Sequence, residues 1–402
     1  MGTKNLETHS LLGGDLAAHD AYQSLMKVRT ELKSALINRN QEIDSAIMAL
    51  LCKRHVLFLG PPGTAKTTMF YLIAKAFNFQ GDDVFKRLIT AFTLPEDLFG
   101  PLDFGKFEKG EYVRKTDGFL PHAKFALKDE IFKGSDPILN ALLTAAEERE
   151  FDQGADRIGM PLETIIGCSN EYPQSSILDA LYDRFMFREW TDYLSDRGAR
   201  RELLMMSRNG AKPDVSEQMS VETRELLQEV TSKVVIPESV IETMLDIWDS
   251  LEIKSGVKLS DRRWAQCLAA VKAHAVLEGR TIATDRDLMV LTRVMWNRHE
   301  DRPVVYEAVA NHACPGIVKV AKVMDGVTQR YRDCDLKAPG VDHLGAVLQV
   351  IKMGQTELER IAASSAIDLN DYEYKVAVDK LVAMQKSVAR AIAKNTGAYG
   401  IK

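Results

Sequence analysis

The stretch Gly60-Pro61-Pro62-Gly63-Thr64-Ala65-Lys66-Thr67 follows the apolar run His55–Leu59 and leads into Thr68, Met69 and Phe70. An apolar run, a glycine-rich turn and an apolar segment at helical spacing indicate a strand, a loop and a helix. The backbone N–H groups of such a loop can surround a polyphosphate, and the helix N-terminus behind it favours anions. Lys66 can reach the terminal phosphate oxygens, and the hydroxyl of Thr67 can coordinate Mg²⁺. We therefore expect a nucleoside triphosphate to bind along Gly60 to Thr68.

Position 65 departs from the usual form of this loop, in which a glycine stands immediately before the lysine. Ala65 is the mildest replacement of that glycine. Where the loop enters the helix a small Cβ is acceptable if φ is negative, whereas a bulky side chain would crowd the phosphates. We therefore expect Ala65 to be compatible with phosphate binding, provided that its φ angle is negative.

The length and composition of the chain indicate a globular protein with more than one domain. Its 402 residues exceed one ordinary core, and 46% of them are hydrophobic. No apolar run is long enough to cross a membrane, and the segment Met1 to Ser10 lacks the charged and apolar regions of a signal peptide. We therefore expect a cytoplasmic protein without a membrane span.

Charge and cysteine content disfavour two other classes of function. The formal net charge of −5 comes from 52 basic and 57 acidic side chains that are mixed along the chain. No basic block indicates binding to a phosphate backbone, so nucleic acid is an unfavoured partner. The cysteines lack the close pairing of zinc or redox sites, and we interpret them as reduced thiols. They are Cys52, Cys168, Cys267, Cys314 and Cys334.

Strand and helix patterns alternate through the first half of the chain, which predicts a parallel α/β sheet. The helix before the loop has apolar residues at helical spacing from Ile43 to Leu51, and Asn40 is placed to cap it. After the strand at His55–Leu59, further strands are predicted at Val84–Ile89, Phe125–Leu127 and Thr164–Ser169.

The segment from Phe99 to Pro121 has glycine-rich turns that alternate with aromatic residues. We interpret it as a β-hairpin inserted into the α/β core, with its tip at Glu108 to Glu111. Beyond about Leu194 the patterns are helical. The predicted organisation is an N-terminal segment at 1–30, an α/β nucleotide-binding core at 31–194, an all-helical domain at 195–300 and a helical section at 301–402.

The second half of the chain contains a series of predicted helices with recognisable boundaries. Thr284 and Asp287 have the spacing of a capping box. In the last section, apolar residues recur at helical spacing, which fits helices that pack on each other or on the preceding domain, or a module that docks a partner. The helices are predicted at Asp196–Arg208, Val221–Val234, Pro237–Glu252, Asp261–Leu277 and Thr284–His299, with later breaks near Pro315, Pro339 and Ser365.

An acidic pair, Asp129 and Glu130, directly follows the apolar segment that ends at Leu127. Beside a phosphate loop, one carboxylate can hold Mg²⁺ through water while the other polarises the attacking water, and these residues fit the two roles in that order. Lys128 stands where an apolar residue is usual, and its ammonium could weaken the base or point away from it. Because neighbouring residues on a strand face opposite sides, the second outcome is favoured.

Two more polar residues follow in the α/β region. Asn170 ends a strand expected beside the acidic strand, where an amide can orient the attacking water; by itself it would read as a turn residue before Pro173. Arg184 follows a short apolar helix and could form a surface ion pair. Alternatively, it projects from one subunit into its neighbour's nucleotide site, where a guanidinium stabilises charge on the transferred phosphoryl group.

The helical domain offers a second arginine for the same site. Ser260 begins a helix in which Arg262 and Arg263 are adjacent, and one of them could contact the γ-phosphate and couple hydrolysis to movement of this domain. We take Arg262 as the first choice and Arg263 as the second. The alternative is that both are solvated charges at a helix end.

In order and spacing, these motifs resemble the MoxR family of AAA+ ATPases, and most of all its RavA branch. The resemblance extends from about Glu42 to His299 and does not include the last hundred or so residues. The stretches that carry it are Gly60–Thr67, Leu98–Leu102, Lys128–Lys133, Asp136–Phe151, Cys168–Pro173, Ala180–Arg184 and Ser260–Trp264.

The resemblance implies an AAA+ α/β core with a helical lid, a hexameric ring, and ATP with Mg²⁺ bound between subunits. In this branch alanine is frequent at position 65, whereas Lys128 is a departure. The segment from Phe99 to Pro121 resembles an insert that faces the central opening of the ring. The resemblance assigns Lys66 and Thr67 to the first nucleotide motif, Asp129 and Glu130 to the second, Asn170 to sensor 1, Arg184 to the arginine finger and Arg262 to sensor 2.

Family members remodel client proteins at the expense of ATP, often alongside a protein with a von Willebrand factor A domain. The resemblance therefore implies a remodelling ATPase with such a partner and a client that the sequence does not identify. Two other functions stay open. One is a slowly hydrolysing nucleotide switch or scaffold, in which Lys128 suppresses hydrolysis. The other is a nucleic-acid motor, which the balanced charge does not support.

Overall fold

The computed structural model describes residues 16–154, 156–333, 341–364 and 372–395 of the chain. Cys334, the predicted helix breaks at Pro339 and Ser365, and the beginning of the predicted N-terminal segment lie outside these ranges. The described residues belong to two compact units. The first comprises residues up to Ile241 together with Gly256–Arg302, and the second comprises Glu242–Ser255 together with the residues from Pro303 onward.

A five-stranded parallel sheet is the centre of the first unit, as the alternation of strands and helices predicts. The strands are β1 His55–Leu59, β2 Val84–Leu88, β3 Phe125–Asp129, β4 Glu150–Gln153, β5 Asp156–Gly159, β6 Thr164–Ser169 and β7 Phe185–Trp190. The order in the sheet is β2-β3-β6-β1-β7, and β4 pairs with β5 in a separate antiparallel hairpin. The carboxyl ends of β1, β3 and β6 therefore lie side by side at one edge.

Helices cover both faces of the sheet, which explains why β1 and β6 are buried along their whole length. The helices of the described part are α1 Leu16–Ala35, α2 Asn40–Leu51, α3 Lys66–Ala76, α4 Pro95–Phe99, α5 Phe104–Phe107, α6 Asp136–Glu147, α7 Ser176–Arg184, α8 Arg197–Arg208, α9 Val221–Lys233, α10 Glu238–Ser250, α11 Asp261–Leu277, α12 Arg302–Ala313, α13 Pro315–Arg332, α14 Val341–Ser364 and α15 Tyr372–Asn395.

His55 ties three of these elements together at the start of β1. Its Nδ1 accepts a hydrogen bond from the Ile165 backbone N–H of β6 (3.0 Å), so Nε2 carries the proton and donates to the Ala146 carbonyl of α6 (2.8 Å). Burial lowers the pKa of His55 to about 4, so the ring stays neutral at physiological pH. His55 is therefore a structural residue of the sheet rather than a catalytic base.

The structure confirms several predicted boundaries. The helix at Asp261–Leu277 and the strand at Thr164–Ser169 begin and end where the sequence places them. The Ser260 hydroxyl caps α11 by accepting the Arg263 N–H. The capping box is also present, with the Thr284 N–H donating to Asp287 Oδ2 (2.8 Å).

Three local predictions are wrong. The segment Thr284–His299 is not one α-helix but contains a 3₁₀ segment at Asp285–Arg293. Asn40 does not cap the helix before the loop: it is the first residue of α2, and Arg39 precedes it without a side-chain cap. The predicted β-hairpin at Phe99–Pro121 contains α5 and a single antiparallel bridge between Leu102 and Arg114. Regular hairpin pairing occurs instead between β4 and β5.

The second unit has a core made by α13, α14 and α15. Apolar residues at the predicted helical spacing are buried between the three helices, among them Leu344, Ile351 and Leu381. Gly354 of α14 allows a close approach, because an added Cβ would lie 2.7 Å from Cγ2 of Val327. The C-terminal helices therefore pack on each other, as one of the two interpretations of the sequence predicts. The predicted boundaries at residues 30, 194 and 300 stay predictions.

Candidate functional site

The glycine-rich loop leaves the carboxyl end of β1 and enters α3 through a series of unusual backbone conformations. Gly60, Gly63 and Ala65 have φ values of 134°, 78° and 68°. A Cβ at Gly60 would lie 2.0 Å from the Thr191 carbonyl oxygen, so this position requires glycine. At Ala65 the expected negative φ is wrong, and the loop holds an alanine in the left-handed region that L-residues rarely adopt.

Lys66 lies folded against the loop that precedes it. Its Nζ donates to the carbonyl oxygens of Gly60 (2.7 Å) and Pro61 (3.0 Å), and Thr64 Oγ1 donates to the same Pro61 carbonyl (3.1 Å). Burial lowers the pKa of Lys66, and the negative charges of the acidic pair oppose that shift. The ammonium is thus inside the loop, where anionic phosphate oxygens would be better acceptors than neutral carbonyls.

Arg39 braces the loop from outside, a role that sequence reasoning missed. This residue is 8% exposed, and its guanidinium donates to the Thr64 carbonyl (3.1 Å) and to the Asp192 carbonyl (2.7 Å). One side chain therefore joins the connection between α1 and α2, the phosphate loop and the segment after β7. Thr64 and Asp192 are distant from Arg39 in the sequence, so no local pattern predicts these contacts.

The acidic pair lies at the same edge of the sheet, at the end of β3. Asp129 is the last residue of β3, and the following Glu130 has a positive φ of 53°. Oε2 of Glu130 is buried and has no hydrogen-bond partner among the described residues, although Nζ of Lys133 lies 3.4 Å away. Glu130 thus stands directly after the strand that carries Asp129, with Lys133 as the cation nearest to its carboxylate.

Lys128 lies on the face of β3 opposite to that of its neighbour Asp129, as strand alternation predicts. Its side chain is fully buried, and Nζ lies 3.9 Å from the ring centroid of Phe85 without a hydrogen-bond partner in the described part of the chain. Burial, together with the charge of Arg87, lowers the pKa of Lys128 well below its usual value. Burial therefore disfavours the charged form of this amine, which packs on the ring of Phe85 in the neighbouring strand β2.

Asn170 lies between the acidic pair and the loop. It directly follows β6, which pairs with β3 on one side and with β1 on the other, and its side chain is exposed. The neighbouring Ser169 hydroxyl donates to the Glu171 carbonyl (2.9 Å), which shapes the turn. The adjacency predicted for Asn170 is therefore present in the sheet.

Tyr172, Trp190 and His299 form an aromatic stack two residues beyond Asn170. The rings of Trp190 and His299 are 4.2 Å apart, and the Tyr172 hydroxyl accepts a hydrogen bond from the His299 backbone N–H (2.8 Å). The stack connects the turn after β6 to the segment that follows α11. Sequence reasoning missed it because its members are far apart along the chain.

Arg184 and Arg262 converge on one carboxylate, that of Glu147 at the end of α6. Arg184 Nε lies 2.6 Å from Oε2 of Glu147, and Arg262 Nη1 lies 3.4 Å from Oε1. The arginine that ends α7 and the arginine that begins α11 thus share a face of the first unit. Neither pairs with Asp129 or Glu130 within the ranges that the structure describes.

Arg263, the second choice for the phosphate contact, is a structural residue. It is 1% exposed, and its guanidinium donates to the backbone carbonyls of Val294 (2.6 Å), Met186 (2.8 Å) and Phe185 (3.2 Å). These bonds tie α11 to β7 and to the end of the 3₁₀ segment. If Arg263 gave up these hydrogen bonds, the buried carbonyl groups would have no donor. Arg262, whose side chain is half exposed, is therefore the arginine that can contact a ligand.

The fold and the site define a class of protein: a phosphate-loop nucleotide-binding core of the AAA+ type, followed by helices. Comparison with known families agrees. The model of the MoxR domain in the MoxR-vWA-beta-propeller ternary systems matches residues 23–231, and the model of an AAA lid domain matches residues 239–309. The chain belongs to the MoxR family. Among the described helices, none is long and apolar enough to span a membrane.

Individual relatives agree with this assignment. Two uncharacterised proteins of Methanocaldococcus jannaschii are 33% and 34% identical over 322 and 327 residues, which are 79% of this chain and 82% and 85% of theirs. The chaperone MoxR1 of Mycobacterium tuberculosis is 25% identical over 310 residues, 72% of this chain and 78% of that protein. A crystal structure of an ATPase candidate from Cytophaga hutchinsonii matches with a TM-score of 0.60 at 20% identity, over 74% of this chain and 96% of that one, and shows the fold alone.

Proposed function

We propose that this chain is an ATP hydrolase of the MoxR type that remodels or assembles a client protein complex. The observation that carries the proposal is the meeting of the phosphate loop, the acidic pair and Asn170 at one edge of the sheet. In this arrangement Glu130 accepts the proton of the attacking water, and Asn170 orients that water. The water oxygen bonds to the γ-phosphorus as the bond to the ADP oxygen breaks.

Thr67 and Asp129 are the residues that would hold Mg²⁺, which when bound neutralises charge on the phosphate oxygens. The described ranges contain no group of three or more His, Cys, Asp or Glu side chains that could hold a metal ion by themselves. This fits Mg²⁺, which is usually bound by one or two protein oxygens together with substrate phosphates. Lys66, whose acceptors are now neutral carbonyls, would turn to the phosphate oxygens.

We further propose that Arg184 and Arg262 act together on the nucleotide of a neighbouring subunit. Both contact Glu147, so a neighbour placed against that face would meet the two guanidiniums at once. A γ-phosphate carries more charge than the Glu147 carboxylate and offers more acceptor oxygens, so it would compete for both arginines. This arrangement requires an oligomer, for which we propose the hexameric ring implied by the resemblance.

The partner, location and branch are also proposals. The family model that matches is described for systems that combine MoxR with vWA and β-propeller proteins, which supports a partner with a von Willebrand factor A domain. The cytoplasm is the proposed location. Placement in the RavA branch rests on the motifs from Leu98 to Leu102 and from Asp136 to Phe151.

The alternative of a slow nucleotide switch rested on suppression of hydrolysis by Lys128. The amine of that residue packs on Phe85 and burial lowers its pKa, so neither observation supports an action on Glu130. The remaining alternative, a nucleic-acid motor, gains no support from the balanced charge of the chain.

Mixing two inactive variants tests the proposed function together with its assembly. Lys66→Ala keeps the arginines but lacks the loop lysine, whereas Arg184→Ala/Arg262→Ala keeps the loop and lacks the arginines. We expect each to release almost no phosphate from ATP, and an equal mixture to recover about a quarter of wild-type activity, because a complete site needs one intact half from each of two adjacent subunits.

The matched control mixes Lys66→Ala with Glu130→Gln. Both substitutions damage the same half of the site, so this mixture should stay inactive. Recovery in the control mixture as large as in the arginine mixture, or recovery in neither, would overturn the shared site. Size-exclusion chromatography of every variant checks that the assembly is retained.

A further inference from the structure

A cavity of about 790 Å³ opens at the edge of the sheet opposite to the phosphate loop. One wall is the turn between α2 and β1, at Leu51 to Arg54, and the others come from Arg149, α9 and α11. The five residues of β1 separate this turn from Gly60, a distance of about 17 Å along the strand. The cavity is therefore distinct from the proposed nucleotide site.

The lining contains four cationic and two acidic side chains. Lys53, Arg54, Arg149 and Lys272 all line the cavity, and across the described ranges of the chain no carboxylate oxygen lies within 4.0 Å of any of these four. Burial lowers the pKa of Arg149, and the nearby charge of Arg54 lowers it further, so the two guanidiniums repel each other. An anionic ligand would relieve that repulsion.

The backbone at two of these cations is strained as well. Lys53 and Arg149 both have positive φ, at 50° and 54°, and Nη2 of Arg149 donates to the Lys53 carbonyl (2.5 Å). The acidic residues of the lining, Glu225 and Glu229, are on α9, and Glu229 pairs with Lys233 of the same helix. The negative charge of the lining is thus confined to α9, whereas the cations come from the turn between α2 and β1, from Arg149 and from α11.

Gln228 fixes the α9 wall of the cavity. It lines the same cavity and is only 6% exposed. Its Nε2 donates to the Leu50 carbonyl (3.1 Å) and to Oε2 of Glu163 (2.7 Å), but its Oε1 has no hydrogen-bond partner among the described residues. These two hydrogen bonds hold α9 against the end of α2, so this wall is formed before any ligand binds.

We propose that this basic groove binds an acidic peptide segment of a partner protein. Its carboxylates pair with Arg54, Arg149 and Lys272, and an apolar side chain packs on Leu268. A peptide supplies both kinds of group, whereas a simple anion supplies only charge. The volume is within the range of ligand-binding pockets in proteins. This inference goes beyond the proposed ATPase activity and does not depend on it.

The test measures binding of a fluorescein-labelled peptide of alternating glutamate and leucine to the full chain without nucleotide, by fluorescence anisotropy. We expect saturable binding that weakens as salt is added. Arg54→Glu/Lys272→Glu should weaken it at least about tenfold. The control, Lys27→Glu/Lys212→Glu, makes the same change in net charge at exposed lysines outside the cavity and should stay within about twofold of wild type.

Three outcomes would overturn the proposal. They are the absence of saturable binding to the wild-type chain, an equal loss in both double variants, and displacement of the peptide by millimolar inorganic phosphate at constant ionic strength. The third would mean that the groove takes simple anions. A peptide of alternating lysine and leucine must not bind, and matching circular dichroism spectra and thermal midpoints show that the variants are folded.

Discussion

The carboxyl edge of the sheet and the bundle of α13, α14 and α15 are built on opposite principles. At the sheet edge Gly60, Ala65 and Glu130 have positive φ, and a buried oxygen of Glu130 has no hydrogen-bond partner among the described residues. In the described parts of the bundle no residue has positive φ, and the core is formed by apolar side chains. Strained backbone and unsatisfied polar groups collect where a ligand can compensate for them. The bundle is stabilised by the packing of its apolar side chains.

The largest loss of stability is expected for a substitution at Gly60, which lies at the sheet edge. Gly60→Ala should destabilise the chain by about 3 kcal/mol or more, because the new Cβ meets the Thr191 carbonyl while φ stays strongly positive. The measurement is the free energy of unfolding in urea.

The matched control for this prediction is Gly81→Ala. Gly81 also has a positive φ, at 54°, but an added Cβ there has no neighbour within 4 Å. It should cost only about 1 kcal/mol, the backbone penalty alone. Equal losses at Gly60 and Gly81 would mean that the close approach to Thr191 does not matter.

The next effect is at Lys128, one residue before the acidic pair, and it depends on pH. Burial lowers the pKa of this amine in the folded chain, whereas the unfolded chain protonates it below its ordinary pKa of 10.5. The unfolded state therefore binds more protons, and the lysine lowers stability increasingly as pH falls from 10.5 towards the depressed folded pKa. Lys128→Met removes this penalty while keeping a side chain of similar volume.

We expect Lys128→Met and wild type to be nearly equal in unfolding free energy near pH 10.5. Below that the variant should gain up to about 1.4 kcal/mol for each pH unit. Urea unfolding of both chains between pH 7 and pH 10 measures this difference. A difference independent of pH would contradict a neutral buried amine, and a variant less stable than wild type at pH 7 would show that the amine has a partner.

The stability of the bundle should depend on the volume of the side chains in its core and not on pH. Gly354→Val places a side chain against Val327 of α13, and overpacking of this kind costs about 1–3 kcal/mol. Gly345→Ala, on an exposed position of the same helix with no atom within 4 Å, should instead stabilise by about 0.5–1 kcal/mol. Thermal unfolding followed by circular dichroism distinguishes the two signs. Destabilisation by both would contradict the packing described for α14.

The parts of the sheet and of the candidate site that short-range sequence patterns determine could be predicted from the sequence. The phosphate loop, the strand Thr164–Ser169 and the helix Asp261–Leu277 each carry their signal within a few residues. Asn170 and the acidic pair are adjacent because β6 lies next to β3 in the sheet. The order of the motifs along the chain indicates this neighbourhood.

What the sequence could not predict depends on distant contacts or on local conformations that overrule preference. Glu147 meets Arg184 and Arg262 only in the folded chain, and Ala65 adopts a positive φ that its residue type disfavours. The hairpin of β4 and β5 was missed because it is short and mostly polar, with Phe151 as its only buried residue in the described part of the two strands. The aromatic pattern at Phe99–Pro121 predicted a different hairpin, in whose place the structure has α5 and one isolated bridge.

Phosphate release by Glu130→Gln tests the central claim most directly. The substitution keeps size and removes the group that accepts the proton from water. We predict that the variant binds ATP as tightly as wild type in a filter-binding assay with labelled ATP, while its rate of phosphate release falls by about 10²-fold or more. Lys66→Ala, tested beside it, should lose ATP binding itself. Wild-type turnover by Glu130→Gln would contradict the assignment of the base and with it the proposed active site.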